Sequence, residues 1–290
     1  MNDYWYRDMS GFGGGIEDVR LGNSMFALAL LGGSVDELRS DGRVVPENEF
    51  VFNKFTADVR VYDLPVLHGR LALIGTLSGF DGDSLETIDE TIEVKDSGGW
   101  ALGFMQKYRF KSGGYNQFVG FYGTGAAENL KAVMTQPTGL DIGNGEDVVN
   151  VDKFRRLLLL NDLVIELSSR VSLQWTAVYR RLNNGQNTKE EVTWYSTGLR
   201  PTYHFGRNFN IELEAGWDYT EQKDADSGHL FKITVAPQIS PAMEALSRPA
   251  LRAFFTYAKW SDAFVGQVAP QSFGMDSQGI SAGIQLETWW

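Results

Sequence analysis

The chain has 290 residues, with 26 Lys and Arg against 37 Asp and Glu, and the net charge of -11 argues against nucleic acid as a partner. It contains no Cys, which removes disulfides and thiolate metal sites, and no run of about 18 apolar residues that would cross a bilayer as a helix. A membrane is not thereby excluded, because the strands of a barrel alternate and their hydropathy averages toward neutral; 32 Gly, 18 Phe, 11 Tyr and 8 Trp suit many strands, tight turns and interfacial aromatic girdles.

Strand-like segments recur along the whole chain and helical periodicity is nearly absent. In chain order the pattern predicts strands over 16–22, 25–31, 55–64, 70–78, 100–110, 117–124, 154–167, 171–182, 193–205, 209–219, 230–239, 251–260 and 280–290. Many approach the ~9–11 residues that a tilted strand needs to cross a bilayer. Short turns at 22–24, 111–116, 168–170 and 206–208 alternate with long polar links at 34–54, 125–153, 183–192, 221–229 and 261–279. Short turns on one side and long loops on the other are the plan of an outer-membrane barrel. The expected fold is all-β: a transmembrane antiparallel β-barrel of about thirteen strands, one domain over 1–290, with no helical domain.

The alternation within strands has two distinct faces. Val171, Leu173, Trp175, Ala177 and Tyr179 oppose Ser172, Gln174, Thr176 and Arg180. Ile211, Leu213, Ala215 and Trp217 oppose Glu212, Glu214, Gly216 and Asp218. Leu251, Ala253, Phe255 and Tyr257 oppose Arg252, Thr256 and one odd aromatic, Phe254, while Ala57, Val59 and Val61 oppose Asp58, Arg60 and Tyr62. Charges of both signs on one parity would cost about 2–4 kcal/mol each against lipid near the midplane, and little in a water-filled lumen. Parity therefore assigns Arg60, Lys107, Arg109, Arg200, Glu212, Glu214, Asp218 and Arg252 to a pore lining; a solvated sheet face in a soluble binding module is the alternative. Segment 154–167 fits least well, because Leu157 to Leu160 are apolar on both parities.

The last strand is the most informative. Ile280, Ala282, Ile284, Leu286, Thr288 and Trp290 share one face, and Ser281, Gly283, Gln285, Glu287 and Trp289 share the other. Trp290 thus suits the membrane interface, whereas Trp289 stands on the polar side, as in a lumen that binds something flat and apolar.

These residues resemble a known family. The terminal Gln285-Leu286-Glu287-Thr288-Trp289-Trp290 is similar to the end of maltoporins, the trimeric sugar-specific porins of the Gram-negative outer membrane. Ser247-Arg248-Pro249-Ala250-Leu251-Arg252 with Phe255-Thr256-Tyr257-Ala258-Lys259-Trp260 resembles the family's penultimate strand, and Gly198-Leu199-Arg200-Pro201-Thr202-Tyr203 an earlier one. The segment from Asp3 to Gly15, followed by Ile16-Glu17-Asp18-Val19, resembles the end of the inward-folded constriction loop and the strand after it. The resemblance implies a barrel of about eighteen strands, of which this chain would supply the C-terminal two-thirds, with the first strands and the signal peptide lying outside it.

It further implies facilitated diffusion of an oligosaccharide through a homotrimer embedded in outer-membrane lipid, with no cofactor. Trp289 matches the terminal aromatic of the family's sugar track, and Asp3 and Trp5 match constriction-loop positions where an acid bonds sugar and an aromatic narrows the pore. Two departures bear on the substrate: Leu246 stands where maltoporins carry a track Trp, and the link at 125–153, where the family contributes another aromatic, holds none. A general porin, or one selective for a disaccharide or β-glucoside, remains the competing reading. Enzyme chemistry is not expected: His68, His204 and His229 have no ligand spacing for a metal, and His204 is too far from Ser196 along one strand to activate it.

Overall fold

A computed structural model describes residues 11–35, 52–66, 68–86, 91–128, 148–183, 185, 191–222 and 226–288. Thirteen antiparallel strands form one sheet, and each pairs with its neighbours in the chain apart from small detours. The first six are β1 (Phe12–Leu21), β2 (Ser24–Val35), β3 (Phe52–Val66), β4 (Gly69–Phe80), β7 (Ser97–Arg109) and β8 (Gly114–Thr124). The others are β10 (Arg155–Ser168), β11 (Val171–Asn183), β12 (Glu191–His204), β13 (Phe209–Gln222), β14 (Gly228–Ile239), β15 (Ala250–Trp260) and β16 (Gln278–Glu287). A second sheet of β5 (Asp83–Glu86), β6 (Thr91–Val94) and β9 (Val148–Val149) lies in the links that follow β4 and β8, its last pair parallel.

Each predicted segment is one of the thirteen strands, so the all-β antiparallel expectation holds. Most strands run a few residues beyond the predicted ends, as β3 does at 52–66. Alternation marks only the stretch whose outer face is apolar, while the backbone ladder continues past it. The small second sheet was not anticipated, because two- and four-residue strands are too short to show a period. The described helix α1 (Pro270–Phe273) has four residues, and among the described residues no helix is long and apolar enough to cross a membrane.

The two faces of the large sheet differ in the reverse sense from a soluble protein. On one face, Leu77, Leu102, Leu213, Trp217, Phe231, Val235, Leu251 and Phe255 are exposed. On the other, Asp58, Asp162, Gln174, Arg200, Glu212, Gln238 and Arg252 are buried. A single layer buries one face this deeply only by curling around it, so the polar face is the inner one. A contact across the curl agrees: the link after β14 reaches β10, where the Ala245 amide donates to Glu166 Oε1 at 3.0 Å. The contrast fades toward the ends of the strand order, and β1 is exposed throughout.

Apolar packing on the inner face is local. Ile74, Ala101, Val119, Phe121, Ala127, Leu158, Leu160 and Val178 form one buried cluster, with Met105 and Trp194 against it. This explains the two-faced β10: its odd positions belong to the outer apolar face, while Leu158 and Leu160 belong to this cluster. The turn Gly125–Ala127 folds inward over it. Gly125 has φ +54, and a Cβ there would lie 2.0 Å from the Gly98 carbonyl oxygen, so only glycine permits the approach.

Candidate functional site

Between β12 and β16 the register stacks inner side chains into rows that cross the strands. One row runs Arg200, Glu214, Thr234, Thr256 and Ser281. The next holds Thr202, Glu212 and Ala236, and continues in the pair Phe254 and Gly283. The third runs His204, Asn210, Gln238, Arg252 and Gln285. Period-two alternation makes this happen: every second residue of each strand is polar or small, and antiparallel pairing lines the sets up.

Charges in these rows neutralise one another across strands. Arg200 Nε and Nη2 donate to Glu214 Oε2 at 2.9 and 2.6 Å, and Lys232 Nζ stands 3.2 Å from Glu214 Oε1. Arg252 Nη2 donates to Glu287 Oε2 at 2.7 Å, and Arg248 Nη2 donates to Glu287 Oε1 at 2.8 Å. Glu212 Oε2 lies 3.7 Å from Arg252 Nη1. A cleft of about 480 Å³ opens among Arg200, Glu214, Lys232, Arg252, Phe254 and Thr256.

The structure brings together four of the charged residues chosen by parity, Arg200, Glu212, Glu214 and Arg252, and spreads the other four along the inner face. Arg60 Nε donates to Asp58 Oδ1 on its own strand at 2.6 Å. Lys107 lies over the Tyr115 ring, 4.1 Å from its centre, and the Tyr115 hydroxyl donates to Asp162 at 2.7 Å. Arg109 is exposed at the short-turn end of β7. Asp218 accepts from Trp194 Nε1 at 3.0 Å. Trp289, Trp5 and Asp3 lie outside the described residues. Lys232, Trp194, Tyr115 and Asp162 were not singled out in the sequence. Extending the same parity count through β8, β10, β12 and β14 would have found them.

At the short-turn end the link 240–249 folds over the inner face, with Ala245 buried against β10 and β11. Beneath it a chain of hydrogen bonds joins Glu166, Ser172, His204, Asn210 and Ser240. Ser172 Oγ is 2.6 Å from His204 Nε2 and also bonds Glu166; His204 Nδ1 bonds Asn210, and Asn210 Nδ2 donates to Ser240 Oγ at 2.7 Å. The expected Ser–His separation concerned Ser196; antiparallel pairing instead places His204 beside Ser172. A serine, an imidazole and an amide in that order have the connectivity of a nucleophilic triad. Ser172 and Asn210 are fully buried, and His204 is nearly so. No substrate reaches the hydroxyl, and the network tethers the link to the wall.

A curled sheet turned inside out, with buried ion pairs on one face and bare apolar side chains on the other, has the arrangement of a membrane β-barrel wall. A family model described as LamB porin matches residues 1–290. The chain belongs to the LamB porin family. Its members are sugar-passing channels of the Gram-negative outer membrane rather than enzymes. Exposed Leu102, Phe255 and Ile284 would be liabilities in water.

Proposed function

We propose that this porin carries maltodextrins or related oligosaccharides by facilitated diffusion, as a homotrimer in outer-membrane lipid, with residues 1–290 acting as one porin domain. The observation that carries the reading is the inner wall itself: the cations Arg200, Lys232 and Arg252 are matched by the carboxylates Glu212, Glu214 and Glu287 across β12 to β16. Such a wall presents donors and acceptors without a net field that would select ions over a neutral sugar. A pyranose has apolar faces and hydroxylated edges. Trp289, two residues beyond Glu287 and of the same parity, gives a face to slide on. Trp5 narrows the passage and Asp3 accepts a hydrogen bond from the sugar. Arg60, Lys107, Arg109 and Asp218 continue the polar lining. Each contact is weak enough to break, so a row of modest stations conducts better than one tight site.

Leu246, on the inward link, favours a second reading. A branched aliphatic side chain offers no flat face where maltoporins present Trp, which suits a shorter or differently linked sugar. The test is single-channel current of the full chain in planar bilayers, titrated with maltohexaose, sucrose and cellobiose. Concentration-dependent block strongest with maltohexaose supports the first reading, and stronger block by a disaccharide supports the second. Current unaffected by every sugar would overturn both in favour of a general porin.

A further inference from the structure

Phe254 is an aromatic set among polar residues midway along the inner face of the last strands. Its neighbours along β15 on that side are Arg252 and Thr256, and the flanking strands contribute Lys232, Thr234, Gln285 and Ser281. An aromatic ring there gains nothing from the lipid, which lies behind the sheet, and it stands outside the inner apolar cluster of β4 to β11.

The ring is nevertheless seated. Opposite it on β16 is Gly283, and a Cβ on that glycine would lie 2.9 Å from Phe254 Cζ and 3.0 Å from Cε1. The end of the ring therefore occupies the space that a side chain would fill on the next strand. It is half-buried and forms part of the cleft lined by Arg200, Glu214, Lys232 and Thr256.

The polar groups around it are those that recognise hydroxyls. Lys232 is 44% exposed and has one carboxylate oxygen as its ion-pair partner, which leaves donors to spare. The Thr234 and Thr256 hydroxyls bond each other at 2.7 Å and keep acceptor capacity. Glu212 Oε1, in the cleft wall, and Gln238 Oε1, beside it on β14, are buried acceptors with no donor among the described residues.

We infer that Phe254, seated on Gly283 and ringed by Lys232, Glu214, Thr256 and Gln285, is a sugar-binding station on the lumen wall for one neutral pyranose ring of the transported oligosaccharide. The inference rests on the sugar-channel reading above and adds a station to it. The apolar face of the sugar lies on the phenyl face while its hydroxyls exchange bonds with the charged rim. Opposite charges in the rim balance, which suits a neutral ring rather than a uronate. Leu246 leaves the inward link without an aromatic, and Phe254 supplies a flat surface on the adjacent wall instead.

The test uses the full chain in planar bilayers with Phe254→Ala, Phe254→Leu, Phe254→Trp and Gly283→Ala, titrating current with whichever oligosaccharide blocks the unmodified porin best. Isothermal titration of the same sugar into detergent-solubilised protein gives a second readout. F254A and F254L are expected to raise the half-blocking concentration about fivefold or more, while F254W keeps or lowers it. F254L keeps an apolar side chain over Gly283, so a purely structural role for the ring would leave F254L close to the parent. G283A pushes the ring off its seat and is expected to weaken block in the same direction. If the parent is blocked and F254A and F254L are blocked equally well, the station is overturned and the sugar-channel reading stands. If neither current nor calorimetry shows any oligosaccharide binding to the parent, the reading beneath it falls, and the station with it.

Discussion

Arg200 grips a single oxygen of Glu214 with two nitrogens and leaves the other oxygen to Lys232, so three adjacent strands share one ion network. The Arg200 and Glu214 side chains are 9% and 11% exposed. At that depth the desolvation already incurred makes removal of one partner worse than removal of both.

The first prediction follows directly. Arg200→Met strands a buried carboxylate with only the half-exposed Lys232 nearby, and should cost about 3–5 kcal/mol of folding free energy. The double variant R200M/E214M replaces the pair with apolar volume and should recover most of that loss. Denaturant unfolding in lipid vesicles reads both. A single variant as stable as the double would show that the network contributes little to the fold.

How much of this was readable in the sequence divides by the range of the interaction. The strands were legible because each carries its own alternation, as Ile211-Glu212-Leu213-Glu214 shows within four residues. Leu158 and Leu160 defeated the pattern, because what lies against them, Phe121 and Val119, comes from another strand through the register of β8 on β10. The tether of Ala245 to Glu166 spans 79 residues, and nothing local at either end announces it beyond Pro241 and Pro249. The pairing of His204 with Ser172 likewise depends on the β11–β12 register, which a spacing count along one strand does not contain. Phe254 was visible as an odd aromatic, but its seat on Gly283 needed the β15–β16 pairing.

The second prediction concerns the outer face. Leu102 is 59% exposed near the middle of β7. On a soluble protein, Leu102→Arg at such a site would be neutral or helpful. Against hydrocarbon it should cost about 2–4 kcal/mol. Unfolding in vesicles measures the difference, and an unchanged stability of L102R would sink the lipid-facing assignment of this surface.

The third concerns the tether under the inward link. Ser172→Ala removes the hydroxyl that joins Glu166 to His204, leaving buried polar groups short of a partner at a cost of about 1–3 kcal/mol. Because Glu166 also holds the Ala245 amide, the loosened carboxylate should free the link. Limited proteolysis is then expected to cut S172A within 240–249 faster than the parent. Equal cleavage rates would mean that the link is held by its other contacts, such as Arg248 with Glu287.

The fourth concerns the field inside the channel. Lys232 is the half-exposed cation of the Glu214 network, with its charge on the inner face and its neighbours Phe231 and Ile233 on the outer one. Lys232→Glu changes the local charge by two units and places two carboxylates side by side on β13 and β14. Permeating cations should then be favoured, moving the reversal potential across a KCl gradient toward the cation limit. Screening sets the size of the effect: the Debye length is about 10 Å at 0.1 M salt and about 3 Å at 1 M. The shift should be plain at the lower concentration and largely lost at the higher. A reversal potential that does not move at 0.1 M would place Lys232 away from the permeation path, whatever its exposure. A shift equally large at 1 M would point to a rearranged pore rather than to the charge itself.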